Sequence, residues 1–325
     1  MTPNSPSCKA MTGVISSKPS TGRTAMRSKF KKEKEFKKEK ADHAFHLHAK
    51  KSLGQNFLRD ANVVEKIASS INTLFSEKEQ KYVHEIGPGS GALTLPLLQK
   101  NIKITALEKD ERSVQGLNET LAKDYKEQFQ VVQTDILKWD PSEDRSLSLE
   151  QKCICVGNLP YYITSDILFW FCKYYKFYTH GIFMVQNEVA DRLQAKPGTK
   201  DYGRLSVRIQ LFFEVKKLFV VPAKCFVPQP KVDSAIVLLS PKSFSFPTQE
   251  EDNAFSSFTT VLFSARRKML RRALHAQLQQ LEEKNPGKMS EFWQLASSLG
   301  ISEETRPDVL SPSTILAMHK FFYSK

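Results

Sequence analysis

The stretch best suited to chemistry is CVGNLPYY, residues 155–162. Residues 153–156 (CICV) are apolar and β-prone, so they predict a buried strand. After the strand come a glycine, the amide of Asn158, Pro160 and two phenols, with no acid, histidine or serine among them. A site built from an amide, backbone carbonyls and aromatic rings can align a planar amine, but it has no group that would abstract a proton at neutral pH.

Methyl transfer from a sulfonium is one reaction that such a site could serve. The leaving group departs neutral, so proximity and in-line alignment are the main requirements. The side-chain oxygen of Asn158 and the carbonyl of Leu159 could accept the two N–H bonds of an adenine N6 amine, whose proton is lost only after attack. Pro160 would fix the turn, and Tyr161 would stack on the extruded base.

A glycine-rich turn, EIGPGSG at residues 85–91, stands where an earlier strand should pass into a helix. Glycines allow a tight turn and close approach of a ligand to the main chain. Gly87, Gly89 and Ala92 also satisfy the G-x-G-x-x-G/A pattern of dinucleotide-binding proteins, so an NAD-dependent enzyme is an alternative. The turn alone does not decide between the two ligands.

Polar side chains at the ends of the next two predicted strands favour an adenosine pocket. Glu108 ends the second strand, about twenty residues after the glycine turn, and is placed to bind a ribose diol. Asp135 follows the third strand and could accept the adenine amine, while Asn158 follows the fourth. No cation for a pyrophosphate stands in these segments. Both acids could instead be ordinary strand-end caps.

The elements that would position these residues alternate between helix and strand from residue 62 onward. Helical spacing of apolar residues predicts helices over residues 62–71, 111–124 and 165–175. Alternation with strands predicts an α/β fold with a mostly parallel seven-stranded sheet and an antiparallel edge hairpin. The predicted strands are 82–86, 102–108, 130–135, 153–158, 181–186, 206–213 and 234–239.

The chain changes character after Pro241. A linker is followed, over residues 253–325, by segments with helical patterns only, which predict a small all-helical domain. Within 258–276 an apolar stripe is predicted at Leu262, Ala265, Met269 and Ala273, with Arg267, Lys268 and Arg271 on the opposite, basic face. This face could bind nucleic acid or could simply be solvated. We expect three parts: residues 1–45, residues 46–242 and residues 243–325.

Charge is concentrated near the start of the chain. The net charge is +13, and residues 1–51, with thirteen Lys/Arg and four Asp/Glu, account for +9 of it. Residues 1–45 cannot bury enough surface to fold alone. They are interpreted as a disordered, RNA-touching arm, a solvated extension without function, or a transit peptide. The histidines in HAFHLH, residues 43–48, are interpreted as part of a linker.

The remaining composition is that of an intracellular protein. No apolar run is long enough to cross a bilayer, so no membrane association is expected. The cysteines are odd in number and lack a C-x-x-C spacing, which favours reduced core thiols over a disulfide framework or a metal site. They are Cys8, Cys153, Cys155, Cys172 and Cys225.

Several collinear motifs resemble the small-subunit ribosomal RNA adenine dimethyltransferase (KsgA-type) family over roughly residues 47–325. The matching segments are KKSLGQNFL (50–58), EIGPGSGALT (85–94), GNLPYYIT (157–164), NEVADRLQAKPGTKDYGRLSV (187–207), FVPQPKVDSAIV (226–237), FSARRKMLRRAL (263–274) and LGISEETRPDVLSP (299–312). The resemblance implies a Rossmann-like methyltransferase domain followed by a small helical domain. One departure is Tyr162, where many members carry a small polar residue.

The resemblance also implies a function and further site residues. S-adenosylmethionine would be the cofactor, and two adjacent adenosines in the hairpin loop near the 3′ end of small-subunit rRNA would be dimethylated at N6. Asn56 and Leu58 would close over the cofactor, which Gly87, Gly89, Glu108, Asp135 and Asn158 would bind. Phe226, in F-x-P-x-P, would clamp the target base together with Tyr161, although it could be a core aromatic.

The expected partner is small-subunit rRNA within an immature small ribosomal subunit, bound by a cytoplasmic monomer. Arg204, Arg267, Lys268 and Arg271 are the candidate RNA contacts; Tyr202 and Arg204 could equally be structural. Two alternatives stay open beside the NAD-dependent enzyme. One is an assembly factor for which methylation is secondary. The other is a methyltransferase of large-subunit rRNA, but the RRKMLRR and LGISEETRPDVL segments favour small-subunit rRNA as the substrate.

Overall fold

The computed structural model describes residues 54–76, 80–147 and 151–323. The arm predicted over residues 1–45, the histidine-containing linker and residues 50–53 of the KKSLGQNFL motif lie outside the described residues. In the described ranges, no helix combines the length and the apolar character needed to span a membrane.

The centre of the described chain is a seven-stranded sheet. Its strands are Tyr82–Ile86 (β2), Lys103–Glu108 (β3), Phe129–Gln133 (β4), Cys153–Asn158 (β5), Tyr178–Gln186 (β6), Phe213–Val221 (β7) and Ser234–Pro241 (β9). A separate antiparallel pair joins Phe57–Leu58 (β1) to Phe226–Val227 (β8). The sheet order is β4-β3-β2-β5-β6-β9-β7, with β2 to β6 parallel and β9 antiparallel to both β6 and β7. The predicted α/β, Rossmann-like sheet is confirmed.

Helices cover both faces of this sheet. They are Ala61–Asn72 (α1), Thr94–Gln99 (α2), Glu111–Asp124 (α3), Thr164–Tyr174 (α4), Asn187–Gln194 (α5), Arg204–Phe212 (α6), Gln249–Ser264 (α7), Leu270–Ala273 (α8), His275–Lys284 (α9), Lys288–Ser298 (α10) and Pro312–Tyr323 (α11). Apolar residues of α1, α2 and α3 share one buried cluster with the sheet, and those of α4 to α7 and the later helices share the other. The three helices expected from periodicity are confirmed.

The prediction of a strand over residues 206–213 is wrong. Residues 204–212 form α6, and the edge strand of the antiparallel pair is β7, directly after it. The reason is burial: Val207, Ile209 and Leu211 are buried, but so are Arg208 and Phe212 on the other sides of the helix. A helix buried nearly all round loses its amphipathic pattern and cannot be told from a buried strand by periodicity.

The predicted apolar stripe required residues 258–276 to form one continuous helix, and they do not. α7 ends at Ser264, and Met269 has an extended backbone before the short α8. The amides of Leu270 and Arg271 bond to the carbonyls of Thr305 (2.7 Å) and Glu303 (3.1 Å), so a later segment takes donors that a continuous helix would use internally. Leu262 and Ala273 are buried as predicted, whereas Ala265 and Met269 are only partly buried.

The C-terminal helices and the sheet-covering helices share one apolar cluster. Within it a buried ion pair joins α6 to α7, because the Arg208 Nη2 donates to the Asp252 Oδ2 at 2.8 Å. The Tyr202 hydroxyl, fully buried, donates to the Leu310 carbonyl at 2.7 Å. The division into domains at residue 242 stays a prediction.

Candidate active site

A cavity opens at the carboxyl ends of the central parallel strands, which is where open α/β sheets bind ligands. It encloses about 1260 Å³ of space between atoms, its open mouth included. The strand ends bring together the predicted side chains: the glycine turn follows β2, Glu108 ends β3, Asp135 comes two residues after β4, and Asn158 ends β5. Its walls include residues 54–58, 85–90, 107–109, 134–136 and 157–163.

The glycine turn is shaped by backbone that only glycine adopts easily. Gly87 and Gly89 have φ of +64° and +57°, in the left-handed region. The Gly89 amide donates to the Glu108 Oε2 at 3.1 Å, and the Gly87 amide donates to the Leu107 carbonyl at 2.9 Å. The turn is therefore held against the end of β3, with open space beside Gly87.

Glu108 is a buried carboxylate with backbone donors on both oxygens. Besides the Gly89 amide, the Asp110 amide donates to Oε1 at 2.8 Å. The side chain lies in the cavity wall but the residue is only 7% exposed, and burial raises the pKa of Glu108 while these amides oppose the rise. A carboxylate offers about four acceptor sites, so Glu108 keeps acceptor capacity for a hydroxyl donor beyond these amides.

Asp135 lies on the same side of the cavity, paired with a cation that we did not predict. Lys109 Nζ donates to the Asp135 Oδ2 at 2.8 Å, and the Leu137 amide donates to Oδ1 at 3.1 Å. The hydrogen bond from Lys109 lowers the pKa of Asp135, so this carboxylate is ionised at neutral pH. It keeps acceptor capacity for an amine.

Residues 54–58, here called the strap, line the cavity and connect several of its parts. Phe57 and Leu58 pair with β8, and the Asn56 carbonyl accepts a hydrogen bond from the Asn158 Nδ2 at 2.9 Å. Asp60, just beyond the strap, caps α1 by accepting from the Asn62 and Val63 amides. Both predicted cofactor-closing residues, Asn56 and Leu58, lie in the cavity wall.

The Asn158 loop has its backbone fixed on both sides. The Leu159 amide donates to the Met184 carbonyl at 3.0 Å, and the Pro160 carbonyl accepts from the Ile163 amide and the Thr164 hydroxyl. The Asn158 amide nitrogen makes the hydrogen bond to the strap. Within the described residues, the side-chain oxygen of Asn158 has no hydrogen-bond partner. An acceptor is thus left available at the end of β5.

Tyr161 and Phe226 were both predicted to flank a target base, and the structure places them differently. Tyr161 lies in the cavity wall, its hydroxyl hydrogen-bonded to the Ser234 hydroxyl at 2.7 Å. Phe226 is 2% exposed, pairs with Leu58 and belongs to the apolar cluster beneath α1. It does not line the cavity in this conformation, so its part in clamping a base stays a prediction.

The predicted RNA contacts fall into two groups. Arg267, Lys268 and Arg271 are exposed, on the turn between α7 and α8 and on α8 itself. Arg204 is partly buried: its guanidinium lies 5.0 Å from the centre of the Phe169 ring and donates to the Ser256 hydroxyl at 3.1 Å. The contacts of Arg204 are structural, and a role in binding RNA stays a prediction for all four.

Among the residues of the cavity wall that were not assigned to the site in advance, four carry charged or aromatic side chains. Glu85 opens the glycine motif, Lys109 directly follows Glu108, and Phe57 lies inside the QNFL motif. The signal in the sequence that could have identified them is that each stands next to a predicted site residue or within its motif. Glu85 is 2% exposed, and burial raises its pKa to about 7 although the Thr94 hydroxyl donates to it at 2.7 Å. The fourth residue, Tyr162, is 57% exposed.

The predicted core thiols are buried where they are described. Cys153, Cys155, Cys172 and Cys225 are free and buried, and burial raises the pKa of each thiol. Cys8 lies outside the described residues. No group of three or more His, Cys, Asp or Glu side chains in the described ranges could hold a metal ion.

Comparisons with known proteins identify relatives of this chain in sequence and in fold. A family model described as ribosomal RNA adenine dimethylase matches residues 46–309. The ribosomal RNA small subunit methyltransferase A of Mycoplasma mobile is 38% identical over 261 residues, which are 79% of this chain and 92% of that protein. A crystal structure of a dimethyladenosine transferase from Plasmodium falciparum has a TM-score of 0.67 and 26% identity, covering 81% of this chain and 95% of its own.

A second solved structure, the 23S rRNA methyltransferase ErmE, has a TM-score of 0.56 and 25% identity, covering 82% of this chain and 100% of its own. These matches favour methyl transfer over the NAD-dependent alternative for the glycine turn, which the G-x-G pattern had left open. The chain belongs to the ribosomal RNA adenine dimethylase family.

Proposed function

We propose that this protein dimethylates the N6 amines of two adjacent adenosines in the 3′-terminal hairpin loop of small-subunit rRNA, with S-adenosylmethionine as donor. One observation carries the proposal: the Asn158 amide nitrogen is held by the Asn56 carbonyl at 2.9 Å, and the side-chain oxygen is left as an acceptor at the cavity. That oxygen could accept an N–H of the target amine, as the sequence predicted.

The cavity residues fit the proposed donor. When bound, S-adenosylmethionine would supply a methyl group on a sulfonium. The open space at Gly87 would allow close approach to the main chain, and the free acceptor sites of Glu108 would take the ribose diol. Asp135 would accept the adenine amine, and Asn56 and Leu58 of the strap would cover the site.

The catalytic work of the chain is alignment. The Asn158 oxygen and the Leu159 carbonyl would accept the two N–H bonds of the amine and hold its nitrogen in line, which converts an intermolecular attack into an oriented one. Pro160 fixes the turn, and the ring of Tyr161 would stack on the extruded base, with Phe226 on the other face if its loop moves. The proton of the attacked amine would leave to solvent after the new bond forms.

The second part of the proposal is that the protein acts in the cytoplasm as a monomer and binds an immature small subunit through exposed cations. Arg267, Lys268 and Arg271 are exposed together near the start of α8, so they are available to phosphates. Contacts of this kind position RNA without reading its sequence. The alternative, an assembly factor for which methylation is secondary, rests on the same surface.

The test is transfer of tritium from labelled S-adenosylmethionine to unmethylated small subunits, with mapping of the labelled bases. Asn158→Ala should lower the rate by at least about a hundredfold, the usual cost of losing a group that orients the transition state. Binding of the subunit should persist. Asn118→Ala, on the exposed face of α3, is the matched control and should transfer methyl groups at the normal rate.

Label at other bases, or full activity of Asn158→Ala, would contradict the proposal. A wild-type protein that binds the subunit and matures it but transfers no methyl would favour the assembly factor. Charge reversal at Arg267 and Lys268 should weaken subunit binding and reduce its dependence on salt concentration. This measurement distinguishes the role of the exposed cations in binding from the role of the cavity in methyl transfer.

A further inference from the structure

Tyr162 is an exposed aromatic side chain of the cavity wall that the proposed mechanism does not use. It is 57% exposed, in the 3-10 turn Tyr161–Ile163 that follows the Asn158 loop. Unlike the Tyr161 hydroxyl, the Tyr162 hydroxyl makes no hydrogen bond to any described residue. An aromatic ring that is neither buried nor hydrogen-bonded beside a ligand cavity has surface to offer a ligand.

One edge of the Tyr162 ring lies against the strap. A methyl group built on Gly54 would be 3.1 Å from Cδ1 and 3.4 Å from Cε1 of Tyr162, so the ring rests on bare backbone. Gly54 itself has φ of +58°, a conformation that glycine adopts without strain. The ring and the strap therefore lie in direct contact at the rim of the cavity.

Tyr162 lines the same cavity as Glu108, Lys109 and Asp135. The pKa of Lys109 is raised mainly by its hydrogen bond to Asp135, and Tyr162 adds a smaller electrostatic contribution in the same direction. Under the proposed function Glu108 and Asp135 hold the adenosine, so the ring and the adenosine would share this cavity.

We propose that Tyr162 is a donor-binding residue, whose ring covers the adenosine of S-adenosylmethionine and closes the cavity together with the strap at Gly54. The inference rests on the proposed function, since it takes the donor as the ligand of this cavity. An aromatic ring offers a flat apolar face to a purine or a ribose, and two such surfaces attract beyond their area burial. The backbone of Tyr162 is already fixed, because the Ile163 amide donates to the Pro160 carbonyl at 3.2 Å, so little ordering opposes this contact.

The experiment measures donor affinity in the absence of RNA, by calorimetry with S-adenosylhomocysteine and with 5′-methylthioadenosine, which lacks the amino-acid part. Tyr162→Ala should weaken both ligands by about tenfold, near the upper end for one aromatic contact. Tyr162→Phe should bind both as the wild type does, because the ring and not the hydroxyl makes the contact. Tyr162→Leu, which still covers Gly54 but has no aromatic face, should fall between them.

The exposed position of Tyr162 means that all three variants should fold, which thermal unfolding would check. Unchanged affinity of Tyr162→Ala for both ligands would overturn the inference. So would a loss confined to the Michaelis constant for the small subunit, since the ring would then face RNA. If the wild type bound neither ligand, the proposed function itself would fail, an outcome distinct from a difference between variants.

Discussion

The contact between Gly89 and Phe57 predicts how the strap controls donor binding. A methyl group on Gly89 would lie 2.9 Å from Cε1 and 3.2 Å from Cδ1 of the Phe57 ring, so Gly89→Ala cannot be accommodated unless that ring moves. Phe57 pairs with Val227 in the short β1–β8 ladder and lines the cavity. Moving its ring therefore changes the wall of the cavity beside the glycine turn.

Two terms set the size of the effect. A left-handed conformation costs an alanine roughly 1–2 kcal/mol, and Gly89 has φ of +57°. Overpacking against the Phe57 ring adds about 1–3 kcal/mol. Gly198→Ala is the matched control, because Gly198 has φ of +85° but nothing within 4 Å of an added methyl group, so it carries the backbone strain alone.

We expect Gly198→Ala to lose about 1–2 kcal/mol of unfolding free energy from strain, measured by urea denaturation, and Gly89→Ala to lose about 1–3 kcal/mol more from overpacking. Only Gly89→Ala should weaken S-adenosylmethionine binding, by about tenfold or more. A tenfold loss of affinity corresponds to about 1.4 kcal/mol, which lies within the overpacking cost given above. Adding Phe57→Leu, which removes the ring atom in closest contact, should restore part of the affinity. A double-mutant cycle on the dissociation constants isolates this coupling from any direct contact of Phe57 with the donor.

Strictly additive effects in that cycle would refute the reasoning, because they would show that the methyl group and the ring do not meet. Equal loss of donor affinity in Gly89→Ala and Gly198→Ala would also refute it, since backbone strain alone would then account for the change. Chymotrypsin cleavage after Phe57 in the donor-free protein gives an independent measure. It should accelerate in Gly89→Ala and not in Gly198→Ala.

Two further predictions concern buried titratable groups. His319→Phe should raise the unfolding free energy by about 1 kcal/mol, measured by urea denaturation, because both ring nitrogens of His319 are buried without a hydrogen bond in the described structure. Burial lowers the pKa of His319 to about 4, so the wild type should lose stability as the pH falls below about 6.5, and the variant should lose less. Glu85 predicts the opposite slope, since burial raises its pKa to about 7. The folded state then keeps a proton that the unfolded state releases near pH 4.5, so stability should fall by up to about 3 kcal/mol between pH 4.5 and 8, and Glu85→Gln should flatten this loss.

Controls for these two predictions come from the surroundings of each group. His319 lies among aromatic rings, with the Phe255 centroid at 5.2 Å and the Tyr323 ring stacked at 4.5 Å, so a phenyl group should find similar contacts. A destabilised His319→Phe would mean that a water or another partner satisfies the imidazole. A stability profile of Glu85→Gln that matched the wild type between pH 4.5 and 8 would show that Glu85 is ionised in the fold.

The sequence predicted the parts of the site that are local along the chain. Strand ends followed by a polar residue or by a glycine turn can be recognised from a few neighbours, and Glu108, Asp135 and Asn158 converge on one cavity as expected. Helix and strand were confused at α6, since burial on nearly all sides removed the periodicity. The hydrophobic pattern carried no information on that choice.

Contacts between distant parts of the chain escaped prediction. β1 pairs with β8 across some 170 residues through two residues each, too short a run to carry a strand pattern. The same ladder places Phe226 in the core beside Leu58, and residue type alone could not show that an aromatic in a proline-rich loop is buried. Asp144, which accepts hydrogen bonds from the buried His84 and Tyr82, likewise gave no signal in the sequence.

The strap gives a physical account of how the NLPY loop, which has no acid, histidine or serine, can be specific. An asparagine amide is nearly symmetric in shape, and its two ends differ in whether they donate or accept. At Asn158 the Asn56 carbonyl accepts from the nitrogen, which leaves the oxygen for the cavity. The orientation needed to accept an N–H is therefore set by main chain that is 102 residues away in sequence, and not by the NLPY loop itself. The strap also contacts the glycine turn through Phe57 and contacts Tyr162 at Gly54. The strap residues that would cover the donor, Asn56 and Leu58, and the carbonyl that orients Asn158 therefore belong to one five-residue segment. Any displacement of that segment should then impair donor binding and amine alignment together.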